Sequence, residues 1–248
     1  MIYLYDGTTE GFLTAFLAAY SDAEAAIASE GFQLPLGAEI TNITTDHEKA
    51  EKAKKRLLSF DKHSMHDLSY LLRSGQCDKD GAALSYLKFL AEQKRPVIEM
   101  LSVDAVRRAD DIIRQVGLEI HRMHGFIRFM ETESGALYAA FSPDNDIVDL
   151  LIPHFSARLP RFPFVIHDIK RKKAAVWDTQ HSFLAPLDRA EVVVSADENA
   201  WQNLWKQYYE SVNIPSRERL KQMRGYLPVR YMKFMPEFNG QAAPKRYT

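Results

Sequence analysis

The segment His121-Arg122-Met123-His124-Gly125-Phe126-Ile127-Arg128-Phe129 concentrates more potential chemistry than any other stretch of the sequence. His121 and His124 lie three residues apart, so on a helix they share a face near its C-terminal end. The partial negative charge of that end favours a protonated imidazole. Arg122 and Arg128 add fixed positive charge of the kind that phosphate recognition or transition-state stabilisation needs. His121, Arg122, His124 and Arg128 are therefore the candidate catalytic centre, with Asp144 and Asp168 as candidate carboxylate partners. The same residues admit a plainer reading, in which the imidazoles cap carbonyls at a helix end and fill space.

Other chemistries find less support. His121, His124, His154, His167 and Asp168 are suitable types for iron or zinc, but no spacing such as HExxH occurs. The single cysteine, Cys77, excludes a cysteine-rich zinc site within the chain, and no metal or cofactor is expected. His154 follows Leu150 by four on an apolar stripe, which reads as a core histidine. Nucleotide and nucleophile signatures of the types GxGxxG, GxxxxGK[ST] and GxSxG are absent. Asp6-Gly7-Thr8-Thr9-Glu10-Gly11 precedes a helix and superficially resembles a phosphate-binding turn, but a strand, a turn and a cap account for the same residues.

A second pattern lies near the C-terminus. Arg217, Arg219, Lys221, Arg224, Arg230 and Lys233 stand against Glu218 alone, with Tyr226, Tyr231 and Phe234 interleaved. Cations alternating with aromatic faces suit single-stranded nucleic acid. Arg217, Arg219, Arg230 and Lys233 are the candidate phosphate contacts. Four consecutive cations, Lys170 to Lys173, read as a solvated turn between strands.

The elements that must position these groups follow from periodicity. Ile2 to Tyr5 predicts a strand stopped by Asp6-Gly7, and a helix capped by Thr8 or Thr9 follows with Phe12, Phe16 and Tyr20 on one face. The charged run 48–56 leads into two short helices, one carrying Leu68, Leu71 and Leu72, the other Leu84, Leu87 and Leu90. A long helix starts from Ser102 as N-cap, buries Val103, Val106, Ile113, Val116, Ile120 and Met123, and ends at Gly125. Gly117 inside it costs about 1 kcal/mol relative to Ala, which points to close packing there.

The period then shortens to about two. Phe126 to Glu131 and Ala136 to Phe141 predict a strand pair, followed by a helix from Ile147 to about Arg158. Phe164 to Ile169 and Ala174 to Trp177 predict two further strands. Ser195-Ala196-Asp197-Glu198 reads as a capping box, opening a helix whose stripe Trp201, Leu204, Trp205 and Tyr208 belongs to a core. Helix, two strands, helix, two strands is an α+β pattern. A helix-rich part over residues 1–120, an α+β part over 121–194 and a helical, basic part over 195–248 are expected, within one domain or several.

Bulk properties narrow the class. In 248 residues, 46% hydrophobic and 26% charged, a sizeable core is affordable and wholesale disorder is not expected. With a formal net charge of -1, affinity for nucleic acid has to come from local patches. A lone cysteine fits a reducing compartment, and neither a signal peptide nor a span of ~20 apolar residues is evident. A cytoplasmic protein without membrane association is the expectation.

Three groups of residues carry a family resemblance. They are Tyr5-Asp6-Gly7 with Glu10-Gly11-Phe12-Leu13-Thr14-Ala15; His121-Arg122, Gly125-Phe126, Arg128-Phe129, Tyr138, Pro143-Asp144, Pro153-His154-Phe155 and Asp168; and Ile214, Arg217, Pro228, Arg230-Tyr231, Lys233 and Glu237. Together they make the chain resemble a bacterial family described as a "probable DNA metabolism protein". Its members accompany a radical-SAM protein of DNA modification or repair, and in some the domain looks fused to a family-four uracil-DNA glycosylase. Arg219 stands where that family tends to carry Asn, and Met232 where it favours Trp. The resemblance implies a context, DNA repair or modification with a radical-SAM partner, and no catalytic residues.

Three functions remain in view. The first is a nucleic-acid-engaging accessory protein, with single strands favoured. The second is a hydrolase or glycosylase-like enzyme acting on a nucleobase, and the third a pure protein-interaction module.

Overall fold

The computed structural model describes every residue except Glu30, 32–36, Asn213, 215–219, 239–244 and Thr248, and at 220, 221, 224 and 245–247 it describes the backbone alone. The chain is α+β and divides into two compact units, Met1–Leu118 and Glu119–Thr248. Among the described residues no helix is long and apolar enough to cross a membrane.

The first unit is built on a three-stranded parallel sheet of β1 (Ile2–Tyr5), β2 (Ala26–Ser29) and β3 (Ile40–Asn42), in the order β2-β1-β3. Only β1 is legible from periodicity. The other two strands are three or four residues long and too short to show alternation. Around the sheet run α1 (Thr9–Ala19), α2 (His47–Phe60), α3 (Ser64–Arg73), α4 (Lys79–Gln93) and the start of α5 (Asp104–Phe126). Tyr5, Phe12, Leu13, Leu57, Leu68, Leu71, Leu87 and Leu90 form its core, each at most 2% exposed. The charged run 48–56 proves to be most of α2, whose buried face is reduced to Ala50, Ala53 and Leu57.

The link from β1 to α1 is tightly specified. Thr8 caps the helix, its Oγ1 accepting from the Gly11 amide at 2.9 Å. The Asp6 carboxylate accepts from the Thr8 amide, the Thr8 hydroxyl at 2.7 Å and the Thr45 hydroxyl at 2.7 Å. A Cβ on Gly11 would lie 2.1 Å from Asp6 Oδ1 and 2.9 Å from Thr45 Oγ1. Glycine is thus required by close approach at this position. Gly117 is the opposite case. Its nearest neighbour would be the Tyr70 ring at 3.7 Å, an ordinary contact, so the close packing expected of it is not found.

Two buried carboxylates complete the first unit. Asp80 accepts from the Tyr5 hydroxyl at 2.8 Å and the Ser29 amide at 3.0 Å, and Asp67 accepts from the Tyr86 hydroxyl at 2.8 Å. Burial first, and then the facing carboxylate, raise both phenols far above the usual tyrosine range. Each phenol therefore stays protonated and keeps donating.

The boundary between the units falls inside α5. This helix begins at Asp104, two residues beyond the Ser102 expected to cap it, and runs one residue past Gly125. The strand expected from Phe126 shrinks to β4 (Met130–Glu131), because Phe126 still belongs to the helix. A five-stranded sheet follows in the order β4-β5-β6-β7-β8, with β5 (Leu137–Phe141), β6 (Phe164–Asp168), β7 (Lys173–Trp177) and β8 (Ser182–Pro186). Only β5 and β6 pair in parallel, and α6 (Ile152–Arg158), preceded by a single tight turn at Asp149–Leu151, makes the crossover. β9 (Ala190–Val192) pairs with β10 (Lys245–Tyr247). Further helices among the described residues are α7 (Glu198–Val212), α8 (Leu220–Tyr226) and α9 (Val229–Met232).

Three sequence expectations are corrected in the second unit. Glu198 does not reach back in a capping box; its carboxylate accepts instead from the Glu131 amide at 2.8 Å and the Gln202 side-chain amide at 2.7 Å. The stripe Trp201, Leu204, Trp205 and Tyr208 is not core, being 60%, 55%, 38% and 55% exposed. The basic turn is not simply solvated either. Arg171 pairs with buried Asp168 at 3.0 Å, Lys172 with Asp188 at 2.7 Å, and Lys173 with Asp146.

Replacing Gly11 by Ala should destabilise the protein by about 2 kcal/mol, the usual cost of forcing an extra carbon into a filled space. Urea denaturation followed by circular dichroism measures this, and an unchanged midpoint would contradict the close approach.

Candidate functional site

Just past the end of α5 a half-buried guanidinium meets a buried carboxylate, and burial of either charge calls for such a partner. Arg128, just past the helix, donates to Glu237 Oε1 at 2.8 Å from Nη2 and 3.2 Å from Nε, and to the Gly125 carbonyl at 2.6 Å. The Glu237 side chain is 2% exposed, so this pair is largely withdrawn from water. The same guanidinium lies over the Trp205 ring, 5.3 Å from its centre. One arginine therefore ties the helix end, the C-terminal segment and α7 together.

Beside it opens a cleft of about 500 Å³, within the size range of small-molecule sites. Phe129 and Phe155 supply apolar wall, and Trp201 and Trp205 supply indole faces. Arg128 and Arg158 supply positive charge, Glu198 negative charge, and His124 and Gln202 neutral polar edges. Phe129 and Phe155 meet edge to face, ring centres 5.1 Å apart, which stiffens the apolar wall.

His124 stacks on His154, with ring centres 4.0 Å apart and planes 10° apart. Nε2 of both rings, Gln202 Oε1 and Glu237 Oε2 are buried without a hydrogen-bond partner among the described residues. Burial, then the neighbouring His154 and His121, push the His124 pKa below the usual histidine value. The helix dipole, expected to favour the protonated imidazole, is opposed here by burial. A terminal dipole is worth ~0.3–1 kcal/mol, and burial beside two further imidazoles acts against it.

Of the four residues expected to form a catalytic centre, His124 and Arg128 line the cleft; His121 is exposed, Arg122 is half-buried, and neither is part of its wall. The proposed carboxylate partners lie elsewhere. Asp168 is buried against Arg171, and burial raises its pKa although Arg171 opposes the shift. Asp144 pairs with Arg230. His167 is also committed: its Nε2 donates to the Leu187 carbonyl at 2.9 Å, so Nδ1 accepts from the Tyr138 hydroxyl at 2.7 Å. Burial holds this imidazole neutral. No group of three or more possible metal ligands occurs among the described residues.

The four expected phosphate contacts fare differently. Arg217 and Arg219 lie outside the described residues. Arg230 is engaged with Asp144 and with the Tyr231 hydroxyl, and Lys233 sits 4.8 Å from the centre of the Phe234 ring. Arg230 thus serves a hub that sequence reasoning missed. Buried Glu119 accepts from the amides of Asp144 at 2.8 Å and Asn145 at 2.9 Å, from the Asn145 side chain at 2.8 Å and from the Tyr231 hydroxyl. In sequence Glu119 looks like an ordinary helix acid, Glu198 like a capping-box acid and Glu237 like a residue of the resemblance alone. Their burial and their partners give them these other roles.

Residues 78–237 match the model of DUF4130, a domain of unknown function. No curated protein matches the chain.

The neutral histidines carry a pH signature. Below its ordinary value of 6.5 the unfolded chain takes up a proton that folded His124 resists, so stability is present above that pH and falls as the pH drops. His167 contributes with the same sign. Between about pH 8 and pH 5.5, stability should fall by a fraction of the ~1.4 kcal/mol per pH unit that one linked proton allows. His124→Phe, which keeps a ring on His154, should flatten part of that slope in urea titrations across pH; an unaltered slope would rule out His124 as its source.

Proposed function

The chain belongs to the DUF4130 family, and we propose that it is a nucleic-acid-engaging protein of DNA modification or repair that works with a radical-SAM partner. The observation that carries the first part is the cleft itself, where exposed indoles of Trp201 and Trp205 stand beside the guanidinium groups of Arg128 and Arg158. An unstacked base offers two flat apolar faces and a flanking phosphate. Indole faces and fixed cations are the matching set, with stacking worth ~1–3 kcal/mol per base. Single-stranded or flipped-out nucleotides are favoured over duplex, because a paired base cannot enter a cleft. The segments quoted above support the radical-SAM partner, and Arg128, Phe129 and Phe155 of those segments line the cleft.

Fluorescence anisotropy with labelled single- and double-stranded DNA tests the reading. Single strands should bind more tightly, with affinity falling linearly in log–log salt. The double substitution Trp201→Ala, Trp205→Ala should weaken binding about tenfold or more, given ~1–3 kcal/mol per stacked base. Absence of binding at low salt, or equal affinity of the double variant, would refute it.

A hydrolase acting on a nucleobase is the second reading. The favouring observation is that His124, in the cleft wall, is held neutral and so able to accept a proton. Incubation of damaged or modified oligonucleotides with the wild type should then yield product. His124→Ala should reduce the rate ~10²-fold or more, in the range of general acid–base catalysis. The same product yield from both proteins would remove His124 as a catalyst.

A further inference from the structure

The first unit carries a second concavity, of about 390 Å³, between α1, α2 and the end of α4. Its walls are apolar and aromatic. Phe16 and Leu57 form the floor, and Tyr20 and Phe60 the sides. Leu17 is 40% exposed and Tyr20 43%, so the surface is open to a ligand.

The polar groups around it are of one sign. Lys52, Arg56 and Lys94 line the groove, and among the described residues no acidic one does. None of the three cationic heads takes part in an ion pair among the described residues, in contrast to neighbouring Lys49 and Lys54, which pair with Asp46 and Glu51. Arg56 is placed by the Phe60 ring, 5.6 Å from its centre. Lys94 closes α4 in the left-handed conformation, φ 55°, its amide donating to the Leu90 carbonyl at 2.9 Å. Glycine is the residue that adopts this conformation without cost. At this helix end the chain carries a cation instead.

An apolar floor with uncompensated positive charge at its rim complements a molecule with an apolar body and an anionic head. From Lys52 to Phe60 the α2 wall is roughly 12 Å long at 1.5 Å per residue. That is the length of a medium-chain aliphatic group. The volume lies at the small end of the range for small-molecule sites, ~300–1,000 Å³. We propose that this groove binds a free medium-chain aliphatic carboxylate, its chain on Phe16, Leu57 and Phe60 and its carboxylate among Lys52, Arg56 and Lys94. The proposal is independent of the nucleic-acid reading.

The test is isothermal titration of the full-length protein with decanoate below its micellar range, with decanol and decyltrimethylammonium as matched controls. Decanoate should bind with one-to-one stoichiometry, and each control at least several-fold more weakly. Arg56→Glu should weaken decanoate binding several-fold. Lys94→Gly should also weaken it while leaving thermal stability equal or higher, which separates loss of the cation from loss of the fold. Leu17→Glu, at an exposed position, should abolish binding. No decanoate binding, equal binding of decanol, or an affinity unaffected by all three substitutions would overturn the proposal.

Discussion

The ion pair between Arg128 and Glu237 is the constraint on which the second unit's site depends. A carboxylate only 2% exposed would be costly without a partner, and Arg128 supplies one from a residue 109 positions away. Removing one member of such a pair costs ~3–5 kcal/mol when both are fully buried, and less here because Arg128 keeps 25% of its side-chain surface exposed. The pair does more than stabilise. Its guanidinium also faces Trp205, so the geometry that satisfies Glu237 also sets one wall of the cleft.

Buried carboxylates recur as organisers throughout the protein. Asp80 and Asp67 hold phenols in the first unit, and Glu119 gathers two backbone amides, an asparagine and a tyrosine in the second. Glu198 joins the start of α7 to β4. Charged hydrogen bonds of this kind are stronger than neutral ones, and their loss leaves a charge stranded in low dielectric. The loop 142–146 is anchored in this way through Asp144 and Asn145.

The contrast between the two concavities follows from their chemistry. The cleft of the second unit mixes indoles, both signs of charge and neutral polar edges, which suits a heteroaromatic ligand with several hydrogen-bonding groups. Among the described residues, the charged groups of the first unit's groove are all cations, above an apolar floor. It offers an amphiphile much and a nucleobase little.

Patterns of three to four and of two residues were enough to read the α+β class, the long helix over the low hundreds and strands β5 to β7, because apolar periodicity reports directly which face of an element is buried; the choice between Thr8 and Thr9 as the cap of α1 was left to the structure. Residue types, not periodicity, named His121, Arg122, His124 and Arg128 as a group. The sequence could not tell that His121 and Arg122, adjacent on the same helix, stay out of the cleft, since that depends on which helical face meets other elements. It could not separate the exposed stripe of Trp201, Leu204, Trp205 and Tyr208 from a core stripe, as both have the same spacing. Nor could it mark Glu119 among 33 acidic residues, or give Glu198 and Glu237 their buried roles. Their roles arise from partners far away in sequence, such as Tyr231 for Glu119 and Arg128 for Glu237. Periodicity is a local property and was legible. Burial of a charge, and the partner that makes it tolerable, are properties of the folded chain, and only the tertiary structure decided them.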